Sequence, residues 1–245
     1  MPSKNQKDIF GLFSVAPCDQ LEGSLHYRLE DISSLPDSKK TLVEQLGRHA
    51  VLDVVEVDLE AGFPFTVQTI AEFKKLRKLR INGIDPIVNG YDPIFGFLDL
   101  EELVFERSSL DDLSGFAALK RLRKFGCYDL TRYERGAEVF GALPNLKTLQ
   151  LGESSITEKE LIGISKSGSI VELTFAVAED GLDLAPISEM KQLKYLDIRR
   201  SNKSDINLAP LLRLPNLKRF TIRPQIENDS DILRKMEEQG TTIDA

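Results

Sequence analysis

The sequence predicts an α/β solenoid of about eight repeats, each 22–24 residues long and each supplying one strand to a sheet. Three observations predict this fold class. An apolar motif recurs eight times, the steps between its copies are nearly constant, and two of its apolar positions have strand spacing. The steps are 24, 24, 22, 24, 24, 23 and 24 residues. A fixed period of this size is typical of solenoids, in which each unit packs only against its neighbours.

The repeated motif is an apolar residue, two residues of any kind, a second apolar residue, one residue of any kind, and a third apolar residue. The last two apolar residues are two positions apart, so their side chains share one face of a strand. Stacking of successive units buries that face. The eight copies are Leu52/Val55/Val57, Leu76/Leu79/Ile81, Leu100/Leu103/Phe105, Leu122/Phe125/Cys127, Leu146/Leu149/Leu151, Ile170/Leu173/Phe175, Leu193/Leu196/Ile198 and Leu217/Phe220/Ile222.

Two of the segments between motifs have helical character. Residues 66–75 place apolar side chains on one helical face. Residues 156–168 begin with Thr157, and Glu160 follows three positions later, which is the spacing of a capping box at a helix N-terminus. Both segments therefore predict helices in the return from one strand to the next.

Three other return segments contain proline. Residues 182–190 and 206–214 share the sequence Leu-Ala-Pro, in which proline favours a first helical turn. Residues 84–97 carry two Asp-Pro pairs and two glycines, which predict a chain of turns rather than a helix.

The ends of a solenoid need caps, because an uncapped end exposes the core. Alternating polarity over residues 25–32 predicts a strand near the N-terminus, and residues 37–47 predict a helix that ends at Gly47. At the other end, a helix is predicted between Asp229 and Gly240. The predicted divisions are an N-terminal cap over 1–50, the solenoid over 51–228 and a C-terminal capping helix over 229–245.

The motif resembles that of the leucine-rich-repeat family, most clearly over residues 144–156 and 191–206. The resemblance covers about seven tenths of the chain. It implies a right-handed horseshoe with a parallel β-sheet on the concave side and a helical or irregular convex side, capped at both ends. It also implies that partners dock on the concave sheet, because proteins of this family often bind there.

The ninth position of the repeat departs from the family pattern, which has Asn or Cys there. The occupants are Glu60, Ile84, Ser108, Leu130, Ser154, Ala178, Ser201 and Gln225. Serine hydroxyls can still bond to the turn backbone, whereas apolar side chains cannot. We therefore expect rearranged turns in the second, fourth and sixth units.

Composition and motifs exclude several classes of function. The chain has 245 residues, 41% of them hydrophobic and 29% charged, with a net charge of −7, which disfavours a general binder of nucleic acid or anionic membranes. His26 and His49 lack metal-site spacing, and no Cys-x-x-Cys motif or phosphate loop occurs. Cys127 occupies a core position, where a thiol packs as a small apolar group. No enzyme activity, cofactor or metal site is predicted.

Positions are counted from the first apolar residue of each repeat unit. The third, fifth and seventh residues of each unit point away from the core and form the candidate binding face. Tyr128, Tyr195, Arg199 and Arg223 are the expected anchors, since Tyr and Arg are enriched at binding hot spots. The candidate partner-binding residues are Arg80, Glu102, Glu106, Tyr128, Gln150, Tyr195, Arg199, Arg219 and Arg223.

Positive charge is concentrated towards the C-terminal repeats. Residues 193–225 contain eight basic and two acidic residues, among them Arg199, Arg200, Arg219 and Arg223. This asymmetry suits an acidic protein partner that is steered to this half of the chain. The alternative is that these side chains only keep the surface hydrated.

The expected function is a non-catalytic protein–protein interaction module that binds a partner on the concave face. Within this class, an inhibitor or immunity-type protein that occludes an enzyme and an adaptor both remain open. Lesser alternatives are nucleic-acid binding through the basic C-terminal zone and substrate recognition within an enzyme assembly. Because the sequence shows no signal region and no stretch of 18 apolar residues, a cytoplasmic location without membrane contact is expected.

Overall fold

Thirteen strands run through the described part of the chain, which comprises residues 13–14, 24–28, 56–60, 75–82, 91–128, 132–177, 181–200, 206–224 and 229–244 of a computed structural model. In chain order they are β1 Phe13–Ser14, β2 Ser24–Arg28, β3 Glu56–Glu60, β4 Lys78–Asn82, β5 Glu102–Glu106, β6 Ser109–Asp112, β7 Lys124–Tyr128, β8 Arg132–Arg135, β9 Thr148–Ser155, β10 Glu172–Val177, β11 Tyr195–Arg200, β12 Arg219–Arg223 and β13 Thr242–Asp244.

Eleven of these strands form one sheet in chain order, and β6 pairs with β8 in a second, two-stranded sheet. Strands β1 and β2 are antiparallel, and every later neighbour in the main sheet is parallel. Each of the eight motifs supplies one strand of this sheet, so the predicted fold class is confirmed. The small parallel sheet between the third and fourth units has no counterpart in the prediction.

The register of the first repeat differs from the predicted one by two residues. The motif as read from the sequence places Val55 and Val57 at the positions of Leu79 and Ile81. In the structure, Val57 pairs with Leu79 and Leu59 pairs with Ile81. The sequence Leu-Asp-Val-Val-Glu-Val-Asp-Leu satisfies the apolar spacing in both registers, so spacing alone does not choose between them.

Charge distinguishes the two registers. The observed one sets Glu56 opposite Lys78 and Asp58 opposite Arg80. The predicted register would set only one acid opposite a base.

The segments that return from one strand to the next contain helices shorter than those of a solenoid with regular α-helices. The described residues include five 3₁₀-helices and two α-helices, the second of which is the C-terminal cap: η1 Asp92–Gly96, η2 Ser114–Ala118, η3 Ala137–Ala142, η4 Ala185–Glu189, η5 Ala209–Arg213, α1 Glu158–Ser165 and α2 Ser230–Glu238. Proline stands in the first turn of η1, η4 and η5. The Leu-Ala-Pro prediction is thus confirmed, whereas η1 corrects the expectation of turns alone over 84–97. The helix predicted over 66–75 lies outside the described residues except for Lys75, and the helix predicted over 37–47 lies wholly outside them.

Glu160 ties helix α1 to the preceding return. Thr157 and Glu160 form the predicted capping box, in which each side chain bonds to the backbone N–H of the other residue. The second carboxylate oxygen of Glu160 accepts a hydrogen bond of 3.2 Å from the backbone N–H of Ala137, at the start of η3. Glu160 is only 4% exposed, and its carboxylate accepts from backbone N–H groups of two successive units.

Phenylalanine side chains fill the core of the central repeats. Phe105 and Phe125 come from strands β5 and β7, while Phe116 and Phe140 come from η2 and η3. The rings of Phe125 and Phe140 lie 4.4 Å apart, and those of Phe116 and Phe125 lie 5.3 Å apart. Cys127 lies in the same core with no exposed surface, and burial raises the pKa of its thiol, as expected for a packing residue.

Strand β9 bulges away from β10 at a glycine. The pairing of Gln150 with Thr174 is followed by that of Ser155 with Ala176, so extra residues of β9 lie between the two pairs. Within this bulge Gly152 has a φ of +51°, and a Cβ atom there would lie 2.2 Å from the carbonyl oxygen of Cys127. Only glycine fits both the backbone conformation and the space.

Side-chain amides link the turns that precede successive strands. Asn145 donates a 2.9 Å hydrogen bond to the backbone carbonyl 25 residues earlier. Gln192 and Asn216 make equivalent bonds of 2.6 and 2.7 Å, also to carbonyls 25 residues earlier. These three bonds, here called the amide ladder, each hold a turn at a fixed distance from the turn of the preceding unit.

Ser108 acts at the ninth position as predicted. Its hydroxyl donates a 2.9 Å hydrogen bond to the carbonyl of Glu106, and the residue is 2% exposed. Ile84, Leu130 and Ala178, where rearranged turns are expected, lie outside the described residues. That expectation stays a prediction.

Helix α2 covers the last repeat with an apolar face. Leu233 and Met236 are buried, and Ile232 packs against the core. The chain then turns at Gly240, which has a φ of +91°, and strand β13 adds to the edge of the sheet. The division into 1–50, 51–228 and 229–245 stays a prediction.

Candidate functional site

Two rows of outward residues cross the centre of the main sheet on the side opposite the core, here called the open face. Parallel pairing without slippage places equivalent residues of successive strands next to each other. The first row is Lys78, Glu102, Lys124, Thr148, Glu172, Tyr195 and Arg219. The second row is Arg80, Val104, Gly126, Gln150, Thr174, Asp197 and Thr221.

Arg80 and Glu106 form an ion pair across strands β4 and β5. Beside them, Arg107 donates a 3.0 Å hydrogen bond from its Nε atom to the side chain of Asn82. The pair is half exposed on the arginine side, so it contributes at most about 1 kcal/mol to stability. The charges of Arg80 and Glu106 in the N-terminal repeats therefore compensate each other.

Tyr128 lies across the sheet towards Gln150. Its hydroxyl donates a hydrogen bond to the side-chain oxygen of Gln150. The ring lies above Gly126, where a Cβ atom would be 3.1 Å from the Cε2 atom of Tyr128. Burial and then the nearby carboxylate of Glu106 raise the pKa of Tyr128. Two of the predicted partner-binding residues, Tyr128 and Gln150, are thereby joined in one contact.

A shallow depression with a volume of 320 Å³ opens on the C-terminal half of the open face. Tyr195, which is 39% exposed, lines the depression, and so do Gln150 and Arg219. Glu172 lines the floor, where it accepts a 3.0 Å hydrogen bond from the Thr148 hydroxyl. The depression thus combines one exposed aromatic ring with fixed polar groups, which is the composition of a binding hot spot.

Two of the three basic residues predicted to bind a partner in the C-terminal repeats have acidic neighbours. The Nε atom of Arg199 lies 3.6 Å from Asp197 Oδ2, and that of Arg219 lies 3.2 Å from Asp244 Oδ2. Arg223 is exposed and makes no ion pair with the described residues.

Arg200 does not contribute to the surface charge, although it is counted from the sequence among the basic residues of the C-terminal repeats. Its guanidinium has no exposed area and forms a two-bond ion pair with Asp229, which is 3% exposed. Asp229 therefore does not cap helix α2 with its side chain. Arg200 adds no charge to the binding face, because it points into the protein.

The structure brings some predicted site residues together and leaves others apart. Arg80 contacts Glu106, Tyr128 contacts Gln150, and Gln150 shares the depression with Tyr195 and Arg219. Glu102 stands apart, between Lys78 and Lys124 in the first row. Arg199 and Arg223 lie at the ends of strands β11 and β12.

Two acidic residues of the depression are not among the partner-binding residues predicted from the sequence. Glu172 and Asp197 occupy the third and fifth positions of their motifs, the same positions as several predicted site residues. They were passed over because hot spots are rich in Tyr and Arg. The Oδ1 atom of Asp197 is buried and has no hydrogen-bond partner among the described residues.

The described residues hold no group of three or more His, Cys, Asp or Glu side chains arranged to bind a metal ion. Within the same part of the chain, every helix is too short or too polar to cross a membrane.

Comparison with known sequences gives one informative relative. A protein of Trypanosoma equiperdum that is described as a candidate adenylate cyclase regulatory protein is 24% identical over 194 residues, which cover 79% of this chain. The chain spans only 29% of that protein's length. No protein-family model matches the chain.

Solved structures show the same architecture. A crystal structure of internalin C2 from Listeria monocytogenes superimposes with a TM-score of 0.56 at 16% identity, covering 76% of this chain and 80% of the internalin. A leucine-rich-repeat protein of Leptospira interrogans gives a TM-score of 0.59 at 19% identity, covering 82% of this chain and 50% of that protein. The chain therefore has the leucine-rich-repeat fold.

Proposed function

We propose that the chain is a non-catalytic protein-interaction module that binds a partner protein on the open face of its C-terminal repeats. The observation that carries this proposal is the depression at Tyr195. An exposed aromatic ring stands there beside the polar side chains of Gln150 and Arg219, on a sheet held rigid by its neighbours. A preformed surface of this kind loses little conformational freedom when a partner binds.

The name of the trypanosomal relative supports a regulatory role for this class of chain. Because the chain matches less than a third of that protein, the relative's target is not transferred here. Binding to a single stoichiometric partner would indicate an inhibitor, and binding to several weak partners would indicate an adaptor. The proposal includes a cytoplasmic location, which suits the buried free thiol of Cys127 and is tested by fractionation of the source cells.

A matched pair of variants tests the docking face. Tyr195 and Ile162 are both large exposed side chains, 39% and 41% exposed, but Ile162 lies on helix α1 in the return segments. A partner captured from extract of the source cells is identified by mass spectrometry, purified and titrated calorimetrically against each variant. Tyr195→Ala should weaken binding by more than about tenfold, the effect of losing a hot spot, while Ile162→Ala should change it less than about twofold.

The opposite result would refute this placement. If Ile162→Ala weakens binding and Tyr195→Ala does not, the partner docks on the return side of the solenoid. Arg199→Ala gives a second test on the open face and should also weaken binding.

A further inference from the structure

A row of residues runs along the edge of the main sheet where the strands begin. Each member directly precedes a strand, and its backbone N–H donates to the carbonyl of the preceding member at 2.7–2.8 Å. The row, here called the rim row, is Arg77, Glu101, Arg123, Lys147, Val171, Lys194 and Lys218. These bonds, together with the amide ladder, hold the Cα atoms of the rim row in fixed positions.

The first half of the rim row is partly compensated. A carboxylate oxygen of Glu101 lies 3.9 Å from the Nε atom of Arg77, and the other lies 3.7 Å from that of Arg123. One acid between two bases leaves only a single formal positive charge on these three residues. Arg121, nearby, is paired with Asp99 at 2.7 Å.

The second half of the rim row carries three uncompensated cations. Lys147, Lys194 and Lys218 are exposed, and none of them forms an ion pair with the described residues. In the nearest row of the open face, Arg219 is paired with Asp244, and Glu172 accepts a hydrogen bond from the neutral Thr148 hydroxyl. Apart from Arg223, which is exposed and unpaired among the described residues at the end of strand β12, the unpaired cations beside this row therefore lie on the rim.

The spacing of these lysines fits carboxylates on an extended chain. Adjacent strands are about 4.8 Å apart, so Lys147 and Lys218 are separated by about 14 Å across three strand spacings. Alternate side chains of an extended peptide are about 6.6–7 Å apart and point to the same side. The flexible four-carbon stem of lysine accommodates the difference between the two spacings.

We propose that Lys147, Lys194 and Lys218 bind the carboxylates of an extended acidic segment of the partner protein. The inference rests on the proposed function and adds the chemistry of the partner. A protein segment fits better than a nucleic acid, because the three lysines span only a short distance and the chain as a whole carries a charge of −7, which repels a long polyanion.

Peptide binding tests the proposal directly. Fluorescein-labelled octaglutamate is titrated by fluorescence anisotropy, with octaglutamine and a twelve-residue oligothymidylate as alternative probes. Octaglutamate should bind, and its affinity should fall as salt rises from about 50 to 200 mM, since exposed charges are screened. The variant Lys194→Gln/Lys218→Gln should bind octaglutamate at least about fivefold more weakly than the wild type.

The control variant is Lys166→Gln/Lys235→Gln, which removes one exposed lysine directly after α1 and one on α2, with the same change in net charge. It should bind octaglutamate within about twofold of the wild type. Absent octaglutamate binding, equal losses in both variants, or tighter binding of the oligothymidylate would each overturn the proposal. If the partner's affinity falls in Tyr195→Ala but not in the rim variant, the rim inference fails and the proposed function stands.

Discussion

Arg200 and Asp229 join strand β11 to the start of helix α2 through two hydrogen bonds of 2.8 and 2.9 Å in the protein interior. Removing one partner would leave the other charge buried and uncompensated. We expect Asp229→Ala to lower the free energy of unfolding by about 3–5 kcal/mol, measured by urea denaturation.

An exposed ion pair on the same helix provides the control. Arg234 contacts Asp231 and Glu238 at the surface, so Arg234→Ala should cost less than about 1 kcal/mol. The double variant Arg200→Met/Asp229→Leu should recover most of the lost stability, because well-packed apolar side chains replace a buried ion pair at little cost. Similar losses for Asp229→Ala and Arg234→Ala would contradict this assignment.

Gly152 is required by its left-handed φ and by the closeness of the Cys127 carbonyl. A methyl group there cannot avoid backbone, so Gly152→Ala should destabilise the protein by about 2 kcal/mol or more. Gly168, where a Cβ atom would meet nothing within 4 Å, is the matched position. Gly168→Ala should leave the thermal midpoint nearly unchanged; equal shifts for the two variants would refute the steric argument.

Glu160 accepts hydrogen bonds from backbone N–H groups at the N-terminal ends of α1 and η3. Glu160→Ala would leave the backbone N–H groups of Thr157 and Ala137 without this acceptor, at a cost of about 2–3 kcal/mol in chemical denaturation. Thr157→Ala removes only the cap and should cost about 1 kcal/mol. Glu158 lies two residues before Glu160 and is exposed, so Glu158→Ala should have little effect on stability. The link between units is disproved if Glu160→Ala costs no more than Thr157→Ala.

Tyr128 makes stability depend on alkaline pH. Because its pKa is raised in the folded protein by burial and by Glu106, the folded state keeps the phenolic proton at a pH where the unfolded chain loses it. Its stabilising contribution is complete below the unfolded pKa of about 10 and is lost as pH rises through the folded value. Unfolding free energies at pH 8 to about 11 should therefore fall more steeply for the wild type than for Tyr128→Phe. Parallel pH curves would show that Tyr128 does not contribute.

The sequence predicted the solenoid well because its signal is repeated. Any one motif, such as Leu146/Leu149/Leu151, is weak, but eight copies in register exclude chance. The same logic failed for the first unit, where Val57 satisfies two alignments and apolar spacing does not distinguish between them. The small β6–β8 sheet was missed because its residues lie between the motifs.

The binding face was predicted less completely for a physical reason. Alternation shows which side chains leave the core, but it does not show which charges are already paired. Arg200 belongs to a strand yet meets an acid 29 residues further along the chain. Lys147, Lys194 and Lys218 were passed over because they occupy the second motif position, although reading that position down the repeats would have revealed the row.

The amide ladder limits how such a chain can evolve. Asn145, Gln192 and Asn216 each reach a carbonyl 25 residues earlier, so inserting a single residue within a unit would move the donor away from its acceptor. Inserting or deleting an entire unit would preserve every such bond. The similarity of residues 182–190 and 206–214 is what duplication of whole units would leave behind.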